Sequence, residues 1–416
     1  MIEREDKKVL ISNFVSLSFL QGANYVLPLL TFPYILQTIG VENFGLLAMA
    51  TALIAYLNIF TDYGFNLTAV NTVSINKNNI NKLIEIFSSI FSIKFILLSI
   101  SFCILLGLIA IFDNLRENWE IFLLTFGLVI GNMLFPIWLF QGLQKMKYIT
   151  YINIFTKILF TISIFIFINK PEDILLIPLF HSLGSILSGI VALIYIKKDF
   201  NITFKFQSLA TLKIYVLDGW HIFKTYIFVS LYTNSNIIIL GFLTNNTIVG
   251  YYAVADKIIN AVGGLFTPLN QTLYPYLSSL YVKSISTFKN LYYKIIFIYI
   301  TASIILFILL SIFKNNIIFF INGSYNNTIG MIYTILTLLI FTFPFGAFFA
   351  LIMNILALKK EISTIIMRAS IINILFAPLL VYIFSATGMA IVSVFIQYYI
   401  MISYYKNIKV GYGRNQ

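Results

Sequence analysis

The chain has 416 residues, 60% of them hydrophobic and only 10% charged, against roughly 25% charged in ordinary soluble domains, which excludes a soluble enzyme and points to a membrane protein. Twenty-seven Lys and Arg against 15 Asp and Glu give a formal charge of +12, but most of these cations fall in short loops, so the charge is a topology signal and no nucleic-acid partner is expected. One cysteine, Cys103 in an apolar run, leaves no disulfide framework and no metal-ligand cluster, and no cofactor is expected.

The short charged start MIEREDKK leads into an apolar run too long for a signal-peptide core, so it is read as a first span rather than a cleaved leader. A membrane helix needs about 20 predominantly apolar residues. Cutting at the polar interruptions leaves twelve such stretches, at approximately 10–36, 43–70, 86–112, 119–140, 150–168, 174–196, 217–243, 248–280, 290–313, 330–357, 363–384 and 387–405. The expected fold is an all-α integral membrane protein of 12 transmembrane helices. Loops on one side carry nineteen Lys and Arg, among them Lys145, Lys147, Lys197, Lys198, Lys205 and Lys213; loops on the other carry Arg116, Lys170 and Lys314. That bias places both termini in the cytoplasm.

Taken in chain order, the spans carry a few polar groups that need an explanation. Gln21, Asn24, Pro28 and Thr31 in span one recur at spacings of three and four, giving a one-sided polar face that suits either a cavity or packed helices. In span two, Thr51, Asn58, Asp62 and Asn66 share one face. Asp62 either pairs with a cation at similar depth or titrates and binds an ion as the protein changes state. Lys94, Lys157, Lys224 and Arg368 stand in four different spans, each on the order of 9–12 Å inside its cytoplasmic end at a rise of about 1.5 Å per residue. They form a basic vestibule for a phosphate-bearing substrate, or they snorkel to headgroups. Asp218, His221 and Lys224 stack along one face at the start of span seven, with Asp218 before Gly219 expected to cap the helix. Lys257 lies near the middle of span eight, where snorkelling is hardest, and is the leading substrate-facing cation. Its neighbour Asp256 points about 100° away and shares a face with Asn260.

The stretch around 197–216 carries four lysines and reads as a linker between halves. The expected organisation is an N-terminal six-helix bundle over 1–200, a cytoplasmic linker over 201–216 and a C-terminal six-helix bundle over 217–416. A shift of 205 residues lays FGLLA at 44–48 over VGYYA at 249–253, and a shift of 213 lays QGLQKMKYI at 141–149 over NILALKKEI at 354–362, as expected of a parallel two-fold repeat in a transporter. No phosphate-cradling loop, HExxH, GxSxG or paired histidines occur, and no loop exceeds about 20 residues. The chain therefore reads as no enzyme, and as a transporter without its own ATPase.

QGANYVLPLLTFPYILQTIGVENFGLLA at 21–48, DYGFNLTA at 62–69, PIWLFQGLQKMKYI at 136–149 and DGWHIF at 218–223 resemble the Wzx-type flippases of polysaccharide biosynthesis, over essentially the whole chain. The resemblance implies the exporter fold shared with multidrug and lipid II exporters: two six-helix bundles about a central V-shaped cavity. It implies as cargo an undecaprenyl-diphosphate-linked oligosaccharide, the O-antigen repeat unit, flipped from the cytoplasmic to the periplasmic leaflet of the bacterial inner membrane. Asp62, Tyr63, Gly64 and Phe65 match a family motif with Asp or Glu before Tyr-Gly-Phe. Many relatives place Arg soon after the Thr-Ala that follows, where Asn71 stands here. On this reading Lys94, Lys157, Lys224, Lys257 and Arg368 contact the diphosphate, Gln21, Asn24 and Asn58 contact sugar, and Asp62, Asp256, Asp218 and His221 serve coupling to H+ or Na+ or gating. Expected partners are the lipid-linked oligosaccharide, membrane lipids and other polysaccharide assembly proteins. The rivals are a multidrug or lipid II exporter of the same fold, and a membrane-embedded O-antigen polymerase or ligase.

Overall fold

The computed structural model describes the backbone of residues 4–414 and the side chains at 22, 27–270 and 272–410. Helices account for every regular element among the described residues. This is what a bilayer demands, because a helix satisfies its own backbone groups where no water can. The helix α1 (Arg4–Asp62) is interrupted at Gly40 (φ 80°) and ends at Tyr63 and Gly64 (φ 53° and 83°), after which α2 (Phe65–Ile75) continues. Asn79 caps α3 (Ile80–Ile111) by accepting from the Lys82 amide at 3.1 Å. A single turn, α4 (Asp113–Arg116), precedes α5 (Trp119–Leu134) and α6 (Ile137–Gly142), which are separated at Pro136. The unit continues with α7 (Met146–Phe167), a 3-10 turn (Pro171–Leu175) and α8 (Leu176–Asp199).

Beyond the irregular stretch 200–208 come α9 (Leu209–Ser230) and α10 (Ser235–Leu243), bent against each other by 48°. They are followed by α11 (Asn246–Gly263), α12 (Phe266–Lys283), α13 (Ile285–Ile312) and α14 (Lys314–Asn322). The chain ends with α15 (Asn327–Thr337), a 3-10 turn (Leu338–Phe341), α16 (Phe343–Ile355) and α17 (Lys359–Arg414), the last interrupted at Ser385 (φ 54°). Every expected span overlaps one or more of these helices. Among the described residues eight helical stretches are long and apolar enough to cross a membrane, or nine if the bent pair α9 and α10 is one span. Their outer faces stay apolar and uncovered, as with Phe95, Ile96 and Ile100 on α3 and Phe297, Ile298 and Ile305 on α13. The protein is a multi-pass membrane protein.

One prediction of local structure fails. Asp218 does not start a helix: α9 begins nine residues earlier, where Ser208 caps it, its hydroxyl accepting from the Thr211 amide at 3.2 Å. Gly219 is mid-helix because of packing, since a methyl group there would lie 2.8 Å from Cδ1 of Tyr63. The Asp-Gly signal thus marks a close contact rather than a cap.

The chain divides into two compact units, one comprising residues up to Gly40 with Ala50–Ile227, the other Val41–Met49 with Phe228–Gln416. The core of the first is aromatic and aliphatic: Phe65, Phe87, Ile90, Trp138, Leu139 and Phe140 are all buried. In the second, Val41–Met49 packs on α11 through glycines. A methyl on Gly45 would lie 1.9 Å from the Asn246 carbonyl oxygen, and one on Gly250 2.1 Å from that of Val41. The 205-residue shift takes Gly45 to Gly250 and Val41 to Asn246, so this contact maps onto itself, as a two-fold repeat requires.

Candidate functional site

In the first unit the site is built around the break between α1 and α2. Two consecutive left-handed residues, Tyr63 and Gly64, end one helix and start the next, a conformation that glycine adopts freely and tyrosine only under constraint. The constraint comes from α9. The Tyr63 ring stacks on Phe223 with centroids 4.6 Å apart and planes at 19°. Gly219 leaves room for that ring, and a methyl on Gly64 would lie 2.7 Å from Cγ2 of Ile222. The two short motifs 62–65 and 218–223 are therefore the two sides of one contact.

Asp62 stands at the edge of this contact. Its Oδ1 accepts from the Lys94 ammonium at 2.9 Å and from the Asn66 side-chain amide at 2.9 Å. Lys94 is 3% exposed and Asp62 18%, so the pair is withdrawn from water and each charge depends on the other. Asn58, one turn before Asp62, accepts from the Asn132 side chain at 3.1 Å and links α1 to α5. Nearby, Thr61 and Ser101 share a buried hydroxyl contact at 3.0 Å. The polar face of span two is thus largely occupied by protein partners on α2, α3 and α5.

The remaining sequence-selected groups of this unit are more open. Lys157 on α7 is exposed; on α9 Asp218 and His221 are exposed and Lys224 is half-buried, its ammonium 5.4 Å from the Trp220 ring centre. Thr31 turns its hydroxyl onto the Leu27 and Pro28 carbonyls of its own helix at 3.2 and 3.3 Å. Gln21 and Asn24 lie outside the residues whose side chains are described.

In the second unit, α11 presents Asp256 and Lys257 in different directions. Lys257 keeps an exposed side chain with its ammonium 5.3 Å from the centre of the Phe44 ring, within cation–π range. Asp256 is half-buried, with Asn260 one turn further on along the same helix face. Arg368 on α17 is exposed.

A buried polar network in this unit escaped the sequence reading, which followed charges. The Asn373 amide donates to the Leu231 carbonyl and to Asn236 Oδ1, both at 3.0 Å. Asn236 donates to Ser393 Oγ at 3.0 Å, and the Tyr252 hydroxyl meets the same oxygen at 2.9 Å. These four residues, 0–7% exposed, tie α10, α11 and both parts of α17 together. The available signal was an asparagine at the head of one apolar run, NSNIIIL at 234–240, and inside another, SIINIL at 370–375.

With this geometry in place, known proteins supply a frame. A family model described as "Polysaccharide biosynthesis protein" matches residues 10–281. A "Putative O-antigen transporter" of Escherichia coli (strain K12) is 31% identical over 395 residues, which is 93% of each chain. A protein of the same description from Shigella dysenteriae is 28% identical over 407 residues, 95% of this chain and 99% of that one. Among solved structures, lipid II flippase MurJ in an inward closed conformation superposes with a TM-score of 0.71 at 14% identity, over 96% of this chain and 87% of that one. An inward-facing multidrug resistance transporter of the MATE family gives 0.66 at 14% identity, over 97% and 98%. At such identities these two likenesses show the exporter fold alone.

Proposed function

This chain belongs to the polysaccharide biosynthesis protein family, and on that premise we propose that it flips an undecaprenyl-diphosphate-linked oligosaccharide, the O-antigen repeat unit, from the cytoplasmic to the periplasmic leaflet. That it is a membrane transporter and not an enzyme follows from its relatives and its fold. The observation that carries the finer reading is similarity along 93% of the chain to a protein described as an O-antigen transporter.

The chemistry of α11 agrees with such a cargo. A diphosphate crossing hydrocarbon needs cations that stay accessible inside the protein, since a charge deep in the bilayer costs at least a few kcal/mol. We assign this role to Lys257, whose side chain is exposed and which falls in the middle of the expected eighth span. Lys157, Lys224 and Arg368 add positive charge, while Gln21, Asn24 and Asn58 serve sugar. Lys94 acts through Asp62, which it neutralises. Asp62 and Asp256, with Asp218 and His221, are the groups for coupling to H+ or Na+ during alternating access.

On this reading the breaks at Gly40 and Ser385 are the turns between two crossings of each long helix. With the bent pair α9 and α10 as one span and α11 with α12 as another, the count becomes twelve, in two six-helix bundles with both termini cytoplasmic. The location that follows is the bacterial inner membrane, beside other polysaccharide assembly proteins.

The test is leaflet exchange of labelled undecaprenyl-diphosphate oligosaccharide in liposomes containing the protein, with and without a proton or sodium gradient. Protein-dependent exchange that Lys257→Ala weakens at least about tenfold supports the reading, that factor being about 1.4 kcal/mol. Folded protein that exchanges no such lipid refutes it.

A further inference from the structure

The stretch between α8 and α9 buries some of its apolar side chains and turns others outward. Residues 201–208 form no helix or strand, yet they are fixed to the first unit. Ile202 is 2% exposed and its amide donates to the Ile196 carbonyl at 3.3 Å. The Lys205 amide donates to Ser88 Oγ at 3.0 Å, and the Phe204 ring meets Phe91 edge-on at 6.1 Å. Beyond Phe204, the Phe206 ring meets it edge-on at 5.2 Å and is itself 93% exposed, and Leu209 and Leu217 in the first turns of α9 are 82% and 62% exposed. Leu209, Lys213 and Leu217 recur every fourth residue and so share one helix face.

The depth of this surface is bounded by its backbone. Irregular chain with unsatisfied amides cannot lie in hydrocarbon. Leaving Phe206, Leu209 and Leu217 in water forgoes their transfer into an apolar phase. The membrane–water interface satisfies both conditions, and aromatic rings are favoured there.

The charges identify the headgroup. Lys197, Lys198, Lys205 and Lys213 are all exposed, and Asp199 is the only carboxylate between Lys197 and Lys213. Asp199 already accepts from the Tyr148 hydroxyl at 3.0 Å. On α3, the neighbouring Glu85 is engaged by Lys82 at 2.7 Å and by the Tyr215 hydroxyl at 3.1 Å. We propose that Phe206, Leu209 and Leu217 insert at the interface while Lys205 and Lys213 hold anionic phospholipid headgroups, making this segment a lipid-binding seat on the lysine-rich side of the membrane. Basic residues beside inserted apolar ones bind anionic surfaces in this way. The proposal stands apart from the cargo the protein carries.

The test uses the full chain with its single cysteine removed (Cys103→Ser) and a bimane label on Phe206→Cys, with Thr203→Cys as a second position. Both sites are exposed, so labelling leaves the core intact. The protein is reconstituted into mixed phosphatidylcholine and phosphatidylglycerol, with bromine on the acyl chains of one lipid or the other. The label at 206 is expected to be quenched by lipid bromine and shielded from aqueous iodide, and the label at 203 less so. Quenching per lipid should be about fivefold or more stronger from the glycerol lipid, at about fivefold per interfacial lysine, and should approach parity in Lys205→Gln/Lys213→Gln. A label at 206 reached by iodide and not by bromine overturns the proposal, as does one reached by neither, which means that protein covers the surface. Equal quenching by both lipids overturns the anionic preference.

Discussion

Removing Lys94 while leaving Asp62 is the most informative perturbation of the first unit. The ammonium and carboxylate lie 2.9 Å apart with 3% and 18% of their side-chain surfaces exposed. At an effective dielectric of about 20 their gross attraction is about 6 kcal/mol. Desolvation consumes much of it, so the net value of the intact pair is small, but stripping one partner leaves a stranded charge and costs about 3–5 kcal/mol. Lys94→Met should therefore lower stability by that amount, and Asp62→Asn by a comparable one. The double variant should lose less than the sum, leaving a coupling of about 2 kcal/mol or more. Denaturant unfolding of detergent-solubilised protein, followed through Trp138 and Trp220, provides the three differences. A coupling below about 0.5 kcal/mol, the value of an exposed pair, would refute the claim that Asp62 and Lys94 neutralise one another out of water.

Three further outcomes follow from the geometry. Gly64→Ala should cost about 2–3 kcal/mol, combining a left-handed backbone (φ 83°) with a methyl 2.7 Å from Ile222 Cγ2; adding Ile222→Ala should recover only the steric part, as read by the same unfolding assay. Gly45→Ala and Gly250→Ala should each cost about 3 kcal/mol, because the new methyl meets backbone oxygen that cannot move aside. The pair should be less than additive, since either substitution already separates the same two segments, and a thermal shift near zero for Gly250→Ala would contradict the contact. Asn373→Ala should cost about 1–3 kcal/mol by leaving Asn236 Oδ1 and the Leu231 carbonyl without their donor, measurable as loss of hydrogen-exchange protection on α10 and α17.

The sequence alone determined the solvent, because a chain with 10% charge and long apolar runs can satisfy its backbone only as membrane helices. It placed an apolar helical stretch under every expected span, because apolar length is written locally, but not the ends, since α9 starts at Leu209 and not at 217. It also marked Gly45 and Gly250 as equivalents through the 205-residue shift, and it singled out Asp62 and Lys257 as charges in expensive places. Pairing and exposure were decided only by the tertiary structure. Nothing in the spacing says that Lys94 rather than Lys157 or Lys224 meets Asp62, because the partner lies 32 residues away on another helix. The Asp-Gly at 218–219 looked like a cap because local chemistry cannot show that Tyr63 needs the space. The Asn236, Asn373, Ser393 and Tyr252 network stayed hidden because each member is uncharged and far from the others in the sequence, and its meaning appears only when three helices bring the four together.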